Sequence, residues 1–323
     1  MAASPLLRRF VMALSGTLLL VGCASGDGSS TVRTDSASTA TTRGSLSPDT
    51  TTTGACRTEP TGPSEFAYTE IAGVEPDLTS LDLYLPAGCE PAPVVVWVHG
   101  GGWRRGDKRF GTEVKAAMTH DMGVALVAVN YRLSEPDNDV KWPDHGDDVA
   151  AAIRWIQKEG PQHGLDPSRV ALLGHSAGGH LVTIVVADPT LLEDVGTSPD
   201  TVSCVVALDS ASFDLRGSPA ELSGLVPNAF GTDPDVIANA SPQVQVERNG
   251  APTAGLLVVT RGSAVRVAGA QAFVDAVNDD AGTATLLLTN PYTHNDVNRR
   301  LGETGEDVVT PPVRDFLEQC LAA

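Results

Sequence analysis

Positive charge is scarce in this 323-residue chain: 22 lysines and arginines stand against 40 aspartates and glutamates, a formal net charge of −18. No stretch is basic enough to form a patch. Nucleic acid and anionic membrane surfaces are therefore poor partners, because long-range repulsion opposes both. Aromatic residues make up only 5%, and no apolar run reaches the roughly 18 residues of a spanning helix. There is no CxxC pair, no His/Cys cluster at metal-site spacing and no internal repeat, so a structural metal and a solenoid are not expected. Histidine is also rare, with seven in all. Chemistry that needs an imidazole has few to choose from.

What is present begins with a targeting signal. Arg8 and Arg9 precede an apolar stretch over residues 10–21, too short to cross a bilayer but suited to a signal-peptide core. The sequence Leu20-Val21-Gly22-Cys23 resembles the bacterial lipobox, in which the cysteine is acylated and becomes the new N-terminus. We therefore expect residues 1–22 to be a lipoprotein signal peptide and Cys23 to be lipidated, with ordinary secretion as the alternative. Residues 23–55 are rich in Ser, Thr, Gly and Asp and bury too little to offset the entropy of ordering, which predicts a disordered, lipid-anchored tether. Residues 56–323 then form one domain, held outside the cytoplasm at the bacterial cell membrane. Four cysteines remain there, Cys56, Cys89, Cys204 and Cys320. In an oxidising compartment they admit three pairings. We expect Cys56 with Cys89 and Cys204 with Cys320, buried free thiols being the alternative.

Within the domain, β-rich stretches at 66–71 and 81–85 come before continuous apolar runs at 94–98 and 124–129, the mark of strands buried on both faces. Val149, Ala152, Ile153 and Ile156 make one apolar stripe, predicting a helix over 147–156. Strands at 170–173, 202–208, 255–260 and 285–288 alternate with helices at 177–186 and 268–277, and a last helix is predicted over 312–321. Such alternation predicts an α/β fold, a mostly parallel twisted sheet with helices on both faces. Residues 215–246, rich in Pro, Gly and Asp, predict a cap or loop region.

The strand at 170–173 runs into Gly174-His175-Ser176-Ala177-Gly178 just before a helix. A tight strand-to-helix turn exposes a serine oxygen above the sheet, which makes Ser176 the candidate nucleophile. Attack on a carbonyl creates an oxyanion that needs fixed N–H donors. The glycines of His99-Gly100-Gly101-Gly102-Trp103 can present such groups without side-chain obstruction, so Gly101, Gly102 and the N–H of Ala177 are the expected oxyanion hole. His99 is read as a support for that loop. The base must be a histidine: His175 and His180 flank the serine too closely, and His99, His120, His145 and His163 precede it. His294, just after the last predicted strand, is left by position and elimination.

Taken together, HGGGW, Asn130-Tyr-Arg-Leu133, DPSRVALLGHSAGGHL and THNDVNRRLG resemble the α/β-hydrolase esterases of the hormone-sensitive-lipase and arylformamidase-like group, from about residue 66 onward. The resemblance implies hydrolysis of a small-molecule ester or amide through an acyl-enzyme, without cofactor or metal, and the chain order serine, acid, histidine. Relatives commonly carry the acid in the turn that here reads Thr260-Arg261-Gly262-Ser263-Ala264-Val265-Arg266, which holds no carboxylate. Asp275 follows, but on the side of its predicted helix opposite Phe273, Ala276 and Val277. Asp209 ends the strand at 202–208 and would emerge on the same sheet edge as Ser176. Asp214 and a water-supported Ser–His dyad are the alternatives, and either aspartate could instead cap the next segment.

The expected activity is cleavage of carboxylic esters with short to medium acyl chains. An amide or formamide hydrolase of arylformamidase type is a second reading, and a catalytically silent, hydrolase-fold binding protein at the cell surface a third. Among other residues, Arg104, Arg105, Asp107 and Lys108 read as a solvated turn, Arg132 and Asp148 as an ion pair, and Trp103, Trp142 and Tyr292 as pocket or core aromatics.

Overall fold

The computed structural model of the chain describes residues 56–89, 91–217, 222–290 and 292–322. The expected signal peptide, the acylated Cys23 and the tether lie outside the described residues. Among the described residues no helix is long and apolar enough to cross a membrane.

In chain order, β1 (Cys56–Arg57), β2 (Thr61–Ala67), β3 (Ser80–Leu85), β4 (Gly88–Cys89) and β5 (Ala92–Val98) come first. Then follow α1 (Thr112–Asp121), β6 (Ala125–Val129), α2 (Asp144–Lys158), β7 (Leu165–His175), α3 (Ala177–Ala187), α4 (Pro189–Asp194) and β8 (Val202–Leu208). Three short helices, α5 (Val226–Phe230), α6 (Pro234–Asn239) and α7 (Pro242–Asn249), precede β9 (Gly255–Thr260), α8 (Ala264–Asp279), β10 (Ala284–Leu288), α9 (His294–Arg299) and α10 (Thr310–Leu321).

The eight-stranded sheet has the order β10-β9-β8-β7-β5-β6-β3-β2, parallel from β10 to β6, with β3 and β2 antiparallel at one edge. The continuous apolar runs have the cause expected of them. Val94, Val96 and Val98 pack into one core with α2 and α3, while Val95 and Trp97 face the opposite core with Val313 and Leu317 of α10. The central strands β5, β6 and β8 are covered on both faces, so they are almost wholly apolar.

Several boundaries differ from the sequence expectation. The first long strand lies at Thr61–Ala67 instead of 66–71, because the edge pairing with β3 starts at Thr61. Helix α1 was not expected: its inward side carries Lys115, Thr112 and Thr119 beside Ala116 and Met118, so it shows no apolar stripe. The described residues within 215–246 include 3-10 and α-helical turns, and each of α5, α6 and α7 carries a proline in its first turn, where the missing N–H costs nothing. Both expected disulfides are present, Cys56–Cys89 joining β1 to β4 and Cys204–Cys320 joining β8 to α10.

Candidate active site

Chain direction sets where a site can form. From β5 the chain proceeds to β6 on one side, whereas β7 lies on the other, so the carboxyl ends of β5 and β7 flank a crevice. The loop after β5 is the glycine run, and the residue after β7 is Ser176. Ser176 sits at φ 56° and ψ −116°, a conformation costly for a non-glycine residue by about 1–3 kcal/mol. Neighbouring backbone holds it there: its N–H donates to the carbonyl of Leu208 at 2.9 Å, and its carbonyl accepts from the N–H of His180 at 3.1 Å. A side chain at Gly178 would collide with the carbonyl oxygens of Val98 and His99, so the turn can close on β5 only with glycine there. Ser176, half-buried, and Ala177 at the start of α3 thus both line one cavity of 680 Å³.

The glycine loop forms another wall of that cavity. Gly101 adopts φ 128°, and a side chain on it would run into the carbonyl oxygen of Arg105. His99 is buried and its Nδ1 contacts the carbonyl of Gly100 at 2.8 Å, while Tyr131 donates its hydroxyl to the carbonyl of His99 at 3.0 Å. Burial pushes the His99 imidazole down to about 4, so it stays neutral as a brace of the loop.

Asp209 leaves β8 at φ 47°, its N–H donating to the carbonyl of Val259 at 2.7 Å. The structure brings it to His294, whose Nδ1 lies 2.6 Å from Asp209 Oδ2. Since a carboxylate accepts, Nδ1 carries the proton and Nε2 is left as the basic nitrogen. Arg261 donates from Nε to the same oxygen at 2.8 Å, and Arg266 donates to Oδ1 at 2.7 Å. Burial raises the Asp209 carboxyl, but the His294 hydrogen bond and the Arg266 charge outweigh it, and the group titrates below its ordinary range. The other two carboxylates considered lie elsewhere: Asp214 pairs with Arg216 at 2.9 Å, and Asp275 is exposed beside Gln271.

His294 opens α9, where Thr293 and Asp296 form a reciprocal capping box. Two groups that sequence reasoning missed hold this helix in place. His175 donates from Nε2 to the carbonyl of His294 at 3.0 Å, and burial keeps its imidazole neutral by pushing it down to about 3. Lys115 donates from Nζ to the carbonyl of Asn298 at 3.0 Å and stands 4.4 Å over the Trp97 ring, with burial pushing its ammonium down to about 7. Nothing in the local sequence around Lys115 points to a partner 183 residues away.

Lys108 corrects the solvated-turn expectation. Its side chain is fully buried and pairs with Glu65 at 3.0 Å and Asp77 at 2.8 Å, while its N–H donates to Asn130 at 2.6 Å. These acids arrive from β2 and the turn before β3, so the local sequence could not reveal them. Arg104 and Arg105 are exposed as expected, and Arg132 meets Asp148 at 2.9 Å. Trp103 lines the cavity, whereas Tyr292 turns to Glu306 at 2.7 Å and Trp142 packs by Phe230 and His180. Among the described residues no group of three His, Cys, Asp or Glu is arranged to hold a metal ion.

A parallel sheet covered on both faces, with a serine elbow after β7 and an Asp–His pair drawn from later loops at the same edge, defines an α/β-hydrolase fold. The chain belongs to the BD-FAE family, whose pattern it matches over residues 81–273. It is 39% identical over 109 residues to carboxylesterase NlhH of Mycobacterium tuberculosis, 33% of this chain and 32% of that one. To esterase LipC of the same organism it is 28% identical over 200 residues, 58% of this chain and 48% of that one. The chain thus spans less than half the length of these curated relatives. Solved structures with the same fold include esterase B from Lactobacillus rhamnosis (23% identity, TM-score 0.65, 83% of this chain and 89% of that one). The esterase of the archaeon Pyrobaculum calidifontis is another (23% identity, TM-score 0.64, 76% of this chain and 82% of that one).

Proposed function

We propose that the chain is a serine carboxylesterase that cleaves small-molecule esters through an acyl-enzyme. The observation that carries this reading is the 2.6 Å contact between His294 Nδ1 and Asp209 Oδ2 at the edge of the cavity that Ser176 also lines. His294 Nε2 takes the proton of Ser176 as Oγ attacks the ester carbonyl carbon, and the carbonyl electron pair moves onto oxygen. The N–H groups of Gly101, Gly102 and Ala177 receive that oxyanion. Collapse expels the alcohol oxygen, which leaves with the proton from His294. Water then attacks the acyl-enzyme, gives its proton to His294, and releases the acid as Ser176 recovers its hydrogen. Asp209 holds the tautomer and offsets the charge of the imidazolium. A 680 Å³ cavity suits acyl chains from acetyl to octanoyl, and the relatives' printed names, esterase and carboxylesterase, support the reaction class.

The test is hydrolysis of p-nitrophenyl esters from acetate to octanoate by residues 55–323, together with fluorophosphonate labelling. Activity and labelling that both vanish in Ser176→Ala support the reading. Folded wild-type protein that neither turns over nor labels overturns it.

We further read the chain as a lipoprotein held at the outer face of a bacterial cell membrane through Cys23. Two disulfides, which persist in oxidising compartments, support that location. Metabolic labelling with an alkyne fatty acid should tag the wild type and spare Cys23→Ala; equal tagging of both excludes Cys23 as the anchor.

A further inference from the structure

The molecule is strongly acidic, yet its cavity is not. Four arginines line it, Arg104, Arg105, Arg261 and Arg266, against two aspartates, Asp107 and Asp209. Both oxygens of Asp209 are already engaged by Arg261, Arg266 and His294. Asp107 is engaged from outside the cavity by Arg109, whose N–H and guanidinium reach its two oxygens at 2.8 and 3.3 Å. The acids nearest to this loop, Glu65, Asp77 and Asp82, are gathered around Lys108 and Arg109. Arg104 and Arg105 have no such counterpart: both are exposed, and among the described residues neither guanidinium has an ion-pair partner.

Their position matters as much as their charge. Both follow directly on the glycine loop, and the stem of Arg105 passes beside Gly101, its Cγ standing 3.2 Å from where a β-carbon on that glycine would lie. Two unneutralised cations that follow directly on the glycine loop therefore belong to the lining of a partly enclosed cavity, where low-dielectric walls concentrate their field. In a chain of net charge −18, such a local excess is the opposite of the general surface.

We propose that Arg104 and Arg105 form a subsite for a carboxylate carried by the substrate, so that the preferred ester is one with a free carboxylate near the scissile bond, on its acyl or its alcohol portion. This rests on the esterase reading above for the reaction, but not for the binding.

Two matched pairs of esters test it. Mono-p-nitrophenyl glutarate against p-nitrophenyl butyrate varies charge on the acyl side, and 4-acetoxybenzoate against its methyl ester varies it on the alcohol side. The readout is the ratio of kcat/KM for the anionic to the neutral member, which cancels any disturbance of the shared oxyanion loop. In Arg104→Gln/Arg105→Gln that ratio should fall about 10-fold for at least one pair, through KM, and raising NaCl from 50 to 500 mM should lower it in the wild type. A ratio that stays within twofold of the wild type for both pairs overturns the proposal. Ser176→Ala supplies a binding test independent of turnover: it should bind mono-p-nitrophenyl glutarate or 4-acetoxybenzoate more tightly than the neutral partner, and lose that preference with both arginines replaced. Preference in binding without any turnover by the wild type would keep the subsite and reject the esterase reading.

Discussion

Arg266 grips Asp209 twice, donating to its carboxylate at 2.7 Å and to its backbone carbonyl at 2.9 Å. The turn in which related esterases commonly carry their acid thus carries a cation that reaches back to an acid on the preceding strand's end. In Arg266→Met the buried carboxylate keeps Arg261 but loses one of its two guanidinium partners. The Asp209 carboxyl should then titrate at higher pH, moving the acid limb of the kcat/KM profile upward, and stability should fall by about 3 kcal/mol. A pH profile superposable on the wild type would show that Arg266 plays no part in setting the state of Asp209.

Gly101→Ala forces a β-carbon into the carbonyl of Arg105 at a backbone angle of φ 128°. The loop must move, and with it the N–H groups proposed to receive the oxyanion. We expect kcat to drop by about 100-fold with a much smaller change in KM. Unaltered kcat in a correctly folded variant would remove Gly101 from the oxyanion hole.

Four buried imidazoles are held neutral: His99 and His180 are pushed down to about 4, His145 and His175 to about 3, in each case chiefly by burial. Unfolded, each would bind a proton near pH 6.5. Between that value and the folded one the unfolded state binds more protons, so stability falls as pH falls, by up to about 1.4 kcal/mol per pH unit for each fully titrating imidazole. Thermal melts should therefore show the midpoint dropping from about pH 6.5 downward, well before most carboxylates are protonated. A midpoint flat from pH 7 to 5 would mean that these side chains are not neutral in the fold.

The two disulfides should separate on reduction. Cys56 and Cys89 are exposed, whereas Cys204 lies in the middle of the sheet, 1% exposed. Limited dithiothreitol should open Cys56–Cys89 first with the Ser176–His294–Asp209 site intact. Replacing Cys204 and Cys320 by serine should cost more, on the order of 5 kcal/mol, because the loop they close spans 116 residues. Mass spectrometry of alkylated protein, read beside the melting curve, gives the order directly.

The central strands were legible because double coverage leaves only apolar residues, and Ser176 was legible through its place between strand and helix. Asp209 could be named from its position at a strand end, and it stands beside His294 in the fold. What stayed hidden depends on long-range pairing. Lys108 is charged among charged neighbours and becomes a buried anchor only when Glu65 and Asp77 arrive. Helix α1 lacks an apolar stripe because its inward Lys115 is satisfied by backbone carbonyls and a Trp97 ring instead of by packing alone. The arginines at 261 and 266 look like solvent-facing residues until the end of β8 is placed next to them.

The N–H of Ser176 is held by the end of β8, the N–H of Asp209 by the end of β9, and His294 follows β10. Ser176 and Asp209 are thus each seated by the strand that comes after them in the chain. The cavity therefore cannot exist in part: the serine turn has no fixed shape until β8 has docked, nor Asp209 until β9 has, and such distant pairings close late. Enzymatic activity should be the last property regained when this protein refolds, after secondary structure and compaction. Partly assembled chains would be chemically silent.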